Sequence, residues 1–121
     1  MGGYRELQVY ERSYKAAKAI YQKIAISFPE EERYGLKSQI QRAATSIPLN
    51  IAEGYGKGGS KKELVRYMYM ARGSCHEVEV LLEFAKDFGY ITKEVYEKAS
   101  KEYDEIGRML TGFIQSQRQE S

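Results

Sequence analysis

Apolar residues recur alternately three and four positions apart in four successive stretches of the chain. Leu7, Tyr10, Tyr14, Ala17, Tyr21, Ile24 and Phe28 keep that spacing without a miss, which places them on one face of a helix. Leu64, Met68, Ala71, Cys75, Val78, Leu82 and Ala85 repeat the pattern, as do Tyr96, Ala99, Tyr103, Ile106, Leu110 and Phe113. Leu36, Ile40, Ala43 and Ile47 supply a shorter fourth run. Helices with a seam period near 3.5 bury it by packing side by side at shallow angles. The pattern therefore predicts an all-α fold, an antiparallel up-down four-helix bundle.

Local signals place the helix ends. Pro29 disfavours a helical conformation at Phe28, so the first helix covers about 5–27. Glu30 to Gly35 read as a short acidic link, and the second helix covers about 36–53. Pro48 lies inside its apolar register, where the ring removes a hydrogen bond and crowds the carbonyl of Ala44, so a kink is expected there. After the glycine-rich link from Gly54 to Gly59, Ser60 and Glu63 match the Ser-x-x-Glu capping box, giving a third helix over about 61–87 that ends at Gly89. Thr92 caps a fourth over about 93–113, and the polar tail beyond it is expected to fray. Nothing divides residues 1–121 into more than one domain.

Several apolar residues stand off these seams: Val9, Ala16, Ala19, Ile20 and Ile26 on the first helix, and Met70, Leu81, Phe84 and Phe88 on the third. A stripe that wraps so far round a helix must face a second partner. Association of copies into a homo-oligomer provides one. The alternative is a central helix buried on two sides within one subunit.

A net charge of +2, from 19 basic and 17 acidic residues, leaves local clusters as the only source of attraction to nucleic acid. Cys75 is the single cysteine, which rules out an intramolecular disulfide and agrees with a reducing, cytoplasmic setting. The chain has no long apolar run suited to a membrane. Its 11 tyrosines and absent tryptophan are unusual, and three of those tyrosines fall on the first seam. Tyrosine rings at such positions suit a bundle edge or subunit contact, because the hydroxyl still needs a partner.

Candidate chemistry is sparse. Arg42, Ser46, Asn50 and Glu53 form a polar line beside the apolar face of the second helix, and Ser74 and Glu77 lie similarly among the apolar residues of the third. Such a line beside a core reads as a structural network, with Arg42 reaching Glu77 or Glu53. Cys75 and His76 are consecutive and point about 100° apart, so they cannot act as nucleophile and base. His76, Glu79 and Glu83 share a face, but a di-iron bundle would use paired Glu-x-x-His motifs, and Gly73 stands where the glutamate would be. No catalytic residue, metal or cofactor is assigned. The link GYGKGGSKKE departs from a phosphate-binding loop in both residues and context. Lys57, Lys61, Lys62 and Arg66 nevertheless gather at the start of the third helix, where the helix dipole is already positive. An anion such as a phosphate backbone would suit that site.

Taken together, Glu32-Arg33-Tyr34-Gly35-Leu36, Gln39, Arg42, Ser46-Ile47-Pro48, Asn50-Ile51-Ala52-Glu53-Gly54, Gly73-Ser74 and Glu77 resemble the four-helix-bundle family first noticed in intervening sequences of bacterial large-subunit ribosomal RNA genes. The likeness extends from about Leu7 to Phe113. It implies a homopentameric barrel of four-helix subunits. The accessory protein of diversity-generating retroelements is similar to this family and binds both nucleic acid and a reverse transcriptase.

These readings converge on a non-enzymatic oligomer that contacts RNA or DNA, or a protein partner such as a reverse transcriptase, through Lys37, Arg42, Lys57, Lys61, Lys62 and Arg66. Four phosphates neutralised on duplex DNA would give a log-affinity slope of about −3.6 against log salt. The alternative is a protein-interaction scaffold with no nucleic-acid role. In that case, glutamates at Lys57, Lys61 and Lys62 leave partner binding unchanged, and a charge at Ile20 or Phe84 breaks the oligomer.

Overall fold

The computed structural model describes residues 3–56 and 60–119. Four long helices dominate: α1 (Gln8–Ala19), α2 (Leu36–Gly56), α3 (Lys61–Asp87) and α4 (Lys93–Gln119). A 3-10 turn at Tyr4–Glu6 precedes α1, and no strand occurs among the described residues. Beyond Ala19 the first helix widens into a π turn, Ile20–Ile24, then tightens into a 3-10 turn, Ala25–Ser27. Each helix packs against its chain neighbour, and α1 closes the bundle against α4.

Cross-helix contacts fix the directions. Ser46 meets Ser74, and Gly54 lies against Leu64 and Tyr67, so α2 and α3 run antiparallel. Arg12 grips Glu102 while Ser27 reaches the backbone of Tyr90, which does the same for α1 and α4. Ile20, Ile40, Ile47, Ile51, Met68, Leu82, Tyr103, Ile106 and Leu110 are fully buried between them.

The ends follow from capping chemistry. Ser60 Oγ accepts from the Glu63 N–H at 3.1 Å, starting α3 at Lys61. At its other end Gly89 adopts φ 81°. The N–H groups of Gly89 and Tyr90 then bond back to Lys86 and Ala85, a Schellman closure that a side chain at Gly89 would strain. The helix α2 runs unbroken through Pro48 to Gly56. Hydroxyls supply extra donors around the proline: Thr45 bonds to the Gln41 and Arg42 carbonyls, and Ser46 to that of Ala43. Asn50 Nδ2 donates to the Ser46 carbonyl at 2.8 Å. The last helix continues to Gln119 and does not stop near 113, because Ile114 is buried beyond Phe113 and extends the seam by another turn.

The core-facing side of α1 differs from the expected one. Tyr14 and Tyr21 are 48% and 43% exposed, whereas Val9, Ser13, Ala16, Ile20 and Ile24 are buried. The core face is centred one residue before Tyr14 and Tyr21, while Ala17, Ile24 and Phe28 of the expected seam are buried. Ser13 concealed it, being a polar residue in the core whose Oγ bonds to the Tyr10 carbonyl. Ile20 therefore belongs to the subunit core, and a charge there would attack the fold and not a contact between copies.

Candidate nucleic-acid interface

The antiparallel register of α2 and α3 separates the predicted cations into two groups. Ser46 faces Ser74, so Lys37 stands opposite about position 83 of α3, some 17 residues and about 25 Å along the axis from Arg66. Lys37 and Arg42 lie toward one end of the bundle, while Lys61, Lys62 and Arg66 lie at the other. Lys57 falls outside the described residues.

At the α3 end, Lys61, Lys62 and Arg66 are all exposed. Arg66 donates to both carboxylate oxygens of Glu63, at 3.1 and 3.3 Å, and its guanidinium lies 4.7 Å from the Tyr67 ring centroid. The hydrogen bond and charge of Glu63 raise the Arg66 pKa. The glutamate thus holds the guanidinium on the rim of the helix start, beside amides oriented by the helix dipole. At the other end Arg42 is exposed and Lys37 half-buried.

The polar line on α2 is a structural network, but the pairing across the helices differs from the one expected. Arg42 and Glu77 both face solvent. At that level the helices are joined instead by the Ser46 and Ser74 hydroxyls. Their small side chains let the backbones approach, as does Gly54 one end away, where a Cβ would come within 2.9 Å of Tyr67 Cβ.

The other candidate groups lie on α3 and α4. Burial, with the nearby Glu79 charge, pushes the Cys75 thiol up to about 12, so it remains protonated and unreactive. His76 is exposed and lines a cleft of about 310 Å³ between α3 and α4 with Glu79, Asp104 and Arg108. Partial burial raises the Glu79 pKa, Asp104 adds to the shift and His76 opposes it. Arg108 is already engaged with Asp104 at 2.9 Å. Among the described residues no group of three His, Cys, Asp or Glu is placed to hold a metal ion. Among the described residues no helix is long and apolar enough to cross a membrane.

Two tethers were illegible in the sequence. Glu32 accepts the Leu36 N–H at 2.8 Å and the Tyr90 hydroxyl at 2.8 Å, so one carboxylate caps α2 and ties the α1–α2 link to the α3–α4 link. Those two hydrogen bonds lower its pKa, the backbone one most. Arg12 makes a bidentate contact with Glu102, at 2.6 and 3.1 Å, joining α1 to α4. Neither pair has a local spacing signal, since each joins segments far apart in the chain.

The family model described as 23S rRNA-intervening sequence protein matches residues 5–112, the whole of the bundle except the last turns of α4. The chain belongs to that family. It is also similar to a crystal structure of a protein of unknown function from the S23 ribosomal protein family of Bacteroides thetaiotaomicron. That likeness has a TM-score of 0.79 at 28% identity, over 88% of this chain and 97% of the other. No curated protein matches the sequence. Within this family member, the motif residues that carried the resemblance have mechanical work: Glu32 and Gly35 start α2, Ser46, Gly54 and Ser74 set the α2–α3 approach, and Asn50 bonds to the backbone near Pro48.

Proposed function

We propose that the protein is a non-enzymatic, oligomeric four-helix bundle that binds nucleic acid through the basic start of α3. The supporting observation is the exposed trio Lys61, Lys62 and Arg66 around the N-terminal turns of a 27-residue helix. Exchange of protein–protein for protein–phosphate contacts at this end needs no catalytic group, and RNA or DNA would serve equally.

The assembly proposed is a homopentameric ring, with α2 bent at Pro48. A ring places two different surfaces of each subunit in contact. Two are available: the exposed Met70, Val80 and Phe84 on α3 with Phe88 just beyond its end, and the trench between α1 and α4 lined by Ala16, Ala19 and Ala99. A reverse transcriptase beside the gene would mark the protein as a retroelement accessory.

Titrating labelled duplex across a salt series tests the binding. Three phosphates neutralised at the α3 end give a log–log slope of about −2.7. Lys61→Glu with Lys62→Glu should abolish binding at moderate salt while leaving the helical spectrum unchanged. Binding that ignores salt rejects the proposal. A second reading, a scaffold for protein partners alone, draws on the exposed Phe84 and Phe88. Partner capture that survives the lysine exchanges and fails in Phe84→Glu would favour it.

A further inference from the structure

We infer that the groove between α1 and α2 is a single-stranded nucleic-acid site, in which bases stack on a tyrosine ladder between cations at the two ends. The inference rests on the nucleic-acid reading above and names the form of ligand.

The groove encloses about 580 Å³, and Tyr4, Tyr10, Tyr14 and Tyr21 line its α1 wall. Tyr10 and Tyr14 are nearly parallel, with centroids 6.0 Å apart and an interplanar angle of 25°, while Tyr4 meets Tyr10 edge-on at 4.9 Å. Cations already sit over two of these rings: Lys18 Nζ is 5.3 Å from the Tyr14 centroid and the Arg5 guanidinium 5.1 Å from that of Tyr4. The opposite wall presents Pro48 and Leu49, the latter 65% exposed. Among the described residues that line the groove, Lys18 is the charged one.

Helical register links this groove to the two separated cation groups. Arg42, Thr45, Leu49 and Ala52 follow one another at steps of three, four and three, which puts them on one stripe of α2. Arg42 is therefore one turn beyond the Thr45 end of the groove. The Ala52 end lies toward the close of α2, where the bundle also presents Lys61 and Lys62. Arg5, over the Tyr4 ring, and Arg42 thus mark the two ends of the groove, and Lys61 and Lys62 stand at the level of its Tyr4 end along the bundle axis.

Ring faces bind bases only where the bases are unstacked, which selects a single strand over a duplex. Tyr10 to Tyr21 spans about 16 Å of helix, the length of four or five stacked bases. A dry contact with another copy would bury four phenol hydroxyls that each need a partner. Along a nucleic acid, base edges, sugars and water supply those partners.

The test uses the full chain with fluorescein-labelled 12-mer oligothymidylate and a 12-base-pair duplex. With no tryptophan present, intrinsic emission comes from tyrosine and reports stacking directly. Wild-type protein should prefer the single strand, with tyrosine quenching. Tyr14→Ala with Tyr21→Ala should weaken oligothymidylate binding about tenfold or more and remove the quenching, leaving duplex affinity intact. The Phe pair at the same positions should retain binding, and Leu49→Glu, at an exposed position on the facing wall, should lose it. Unchanged oligothymidylate affinity in the alanine and Leu49→Glu variants, with binding still lost in Lys61→Glu with Lys62→Glu, overturns this inference and leaves the broader function standing. Absence of any wild-type binding overturns both. Dissociation of the oligomer in the alanine pair, at unaltered affinity per subunit, shows the groove to be a contact between copies and overturns the inference.

Discussion

Glu32 and Gly35 show how much of this fold rests on single side chains. A Cβ at Gly35 would come within 2.7 Å of the Glu32 carboxylate oxygen that caps Leu36, so the glycine keeps open the space the cap requires. Gly35→Ala should move the Glu32 side chain and lose the cap, seen as a lower melting temperature. The pH dependence of that cap has a definite sign. Its pKa is depressed in the folded state, so the stability it gives is complete above the unfolded glutamate value of about 4.3 and vanishes as the pH falls through the lower folded value. Glu32→Gln should therefore melt below wild type at pH 7 and converge with it in acid, checked by calorimetry across pH. Gly54 has a firmer constraint, because Tyr67 Cβ cannot rotate away. Gly54→Ala should cost about 1–3 kcal/mol through forced separation of α2 and α3, measurable by denaturant titration.

Among the elements, α1 is the least conventional. Its π turn at Ile20–Ile24 and 3-10 turn at Ala25–Ser27 replace regular hydrogen bonding near the trench against α4. Amides from 20 to 27 should exchange with deuterium faster than those in the middle of α3, by native-state exchange. Two neighbouring substitutions separate the faces of this helix. Ile20→Asp buries a charge and should cost about 3–5 kcal/mol, whereas Tyr21→Asp at an exposed position should cost under about 1 kcal/mol. Equal effects would mean that the core face of α1 is assigned wrongly. The Arg12–Glu102 tether is partly exposed, so Arg12→Ala should cost only about 1 kcal/mol despite its bidentate geometry.

At the scale of the whole molecule, the exposed aromatic ridge is the feature a lone subunit accounts for least. Phe84 and Phe88 are 48% and 55% exposed, and their rings touch at 5.7 Å between centroids. Through Tyr90 the aromatic chain continues to the buried Phe28, so the ridge is anchored in the core and held rigid. Light scattering should show a multimer, with Phe84→Glu shifting it toward monomer without loss of helix content. A stable monomer at high concentration would remove the case for a ring. In the proposed ring, Lys37 and Arg66, about 25 Å apart along the bundle axis, would offer separate points of contact to a long polyanion.

The sequence by itself determined the class of fold and most helix positions. Periodic apolar residues on α2, α3 and α4 specify buried seams, and Ser60 and Gly89 specify ends, because these effects act within a few residues. It also contained the residues of the α2–α3 network, though not their pairing. Which side of α1 faces inward was decided only by the tertiary structure, since seven well-spaced apolar residues could not reveal that Ser13 is buried and Tyr14 exposed. The tie between Glu32 and Tyr90, the grip of Arg12 on Glu102, the separation of the basic residues and the groove between α1 and α2 were likewise decided there. Each depends on how far one helix slides and turns against another, which is set by the packing of the whole core.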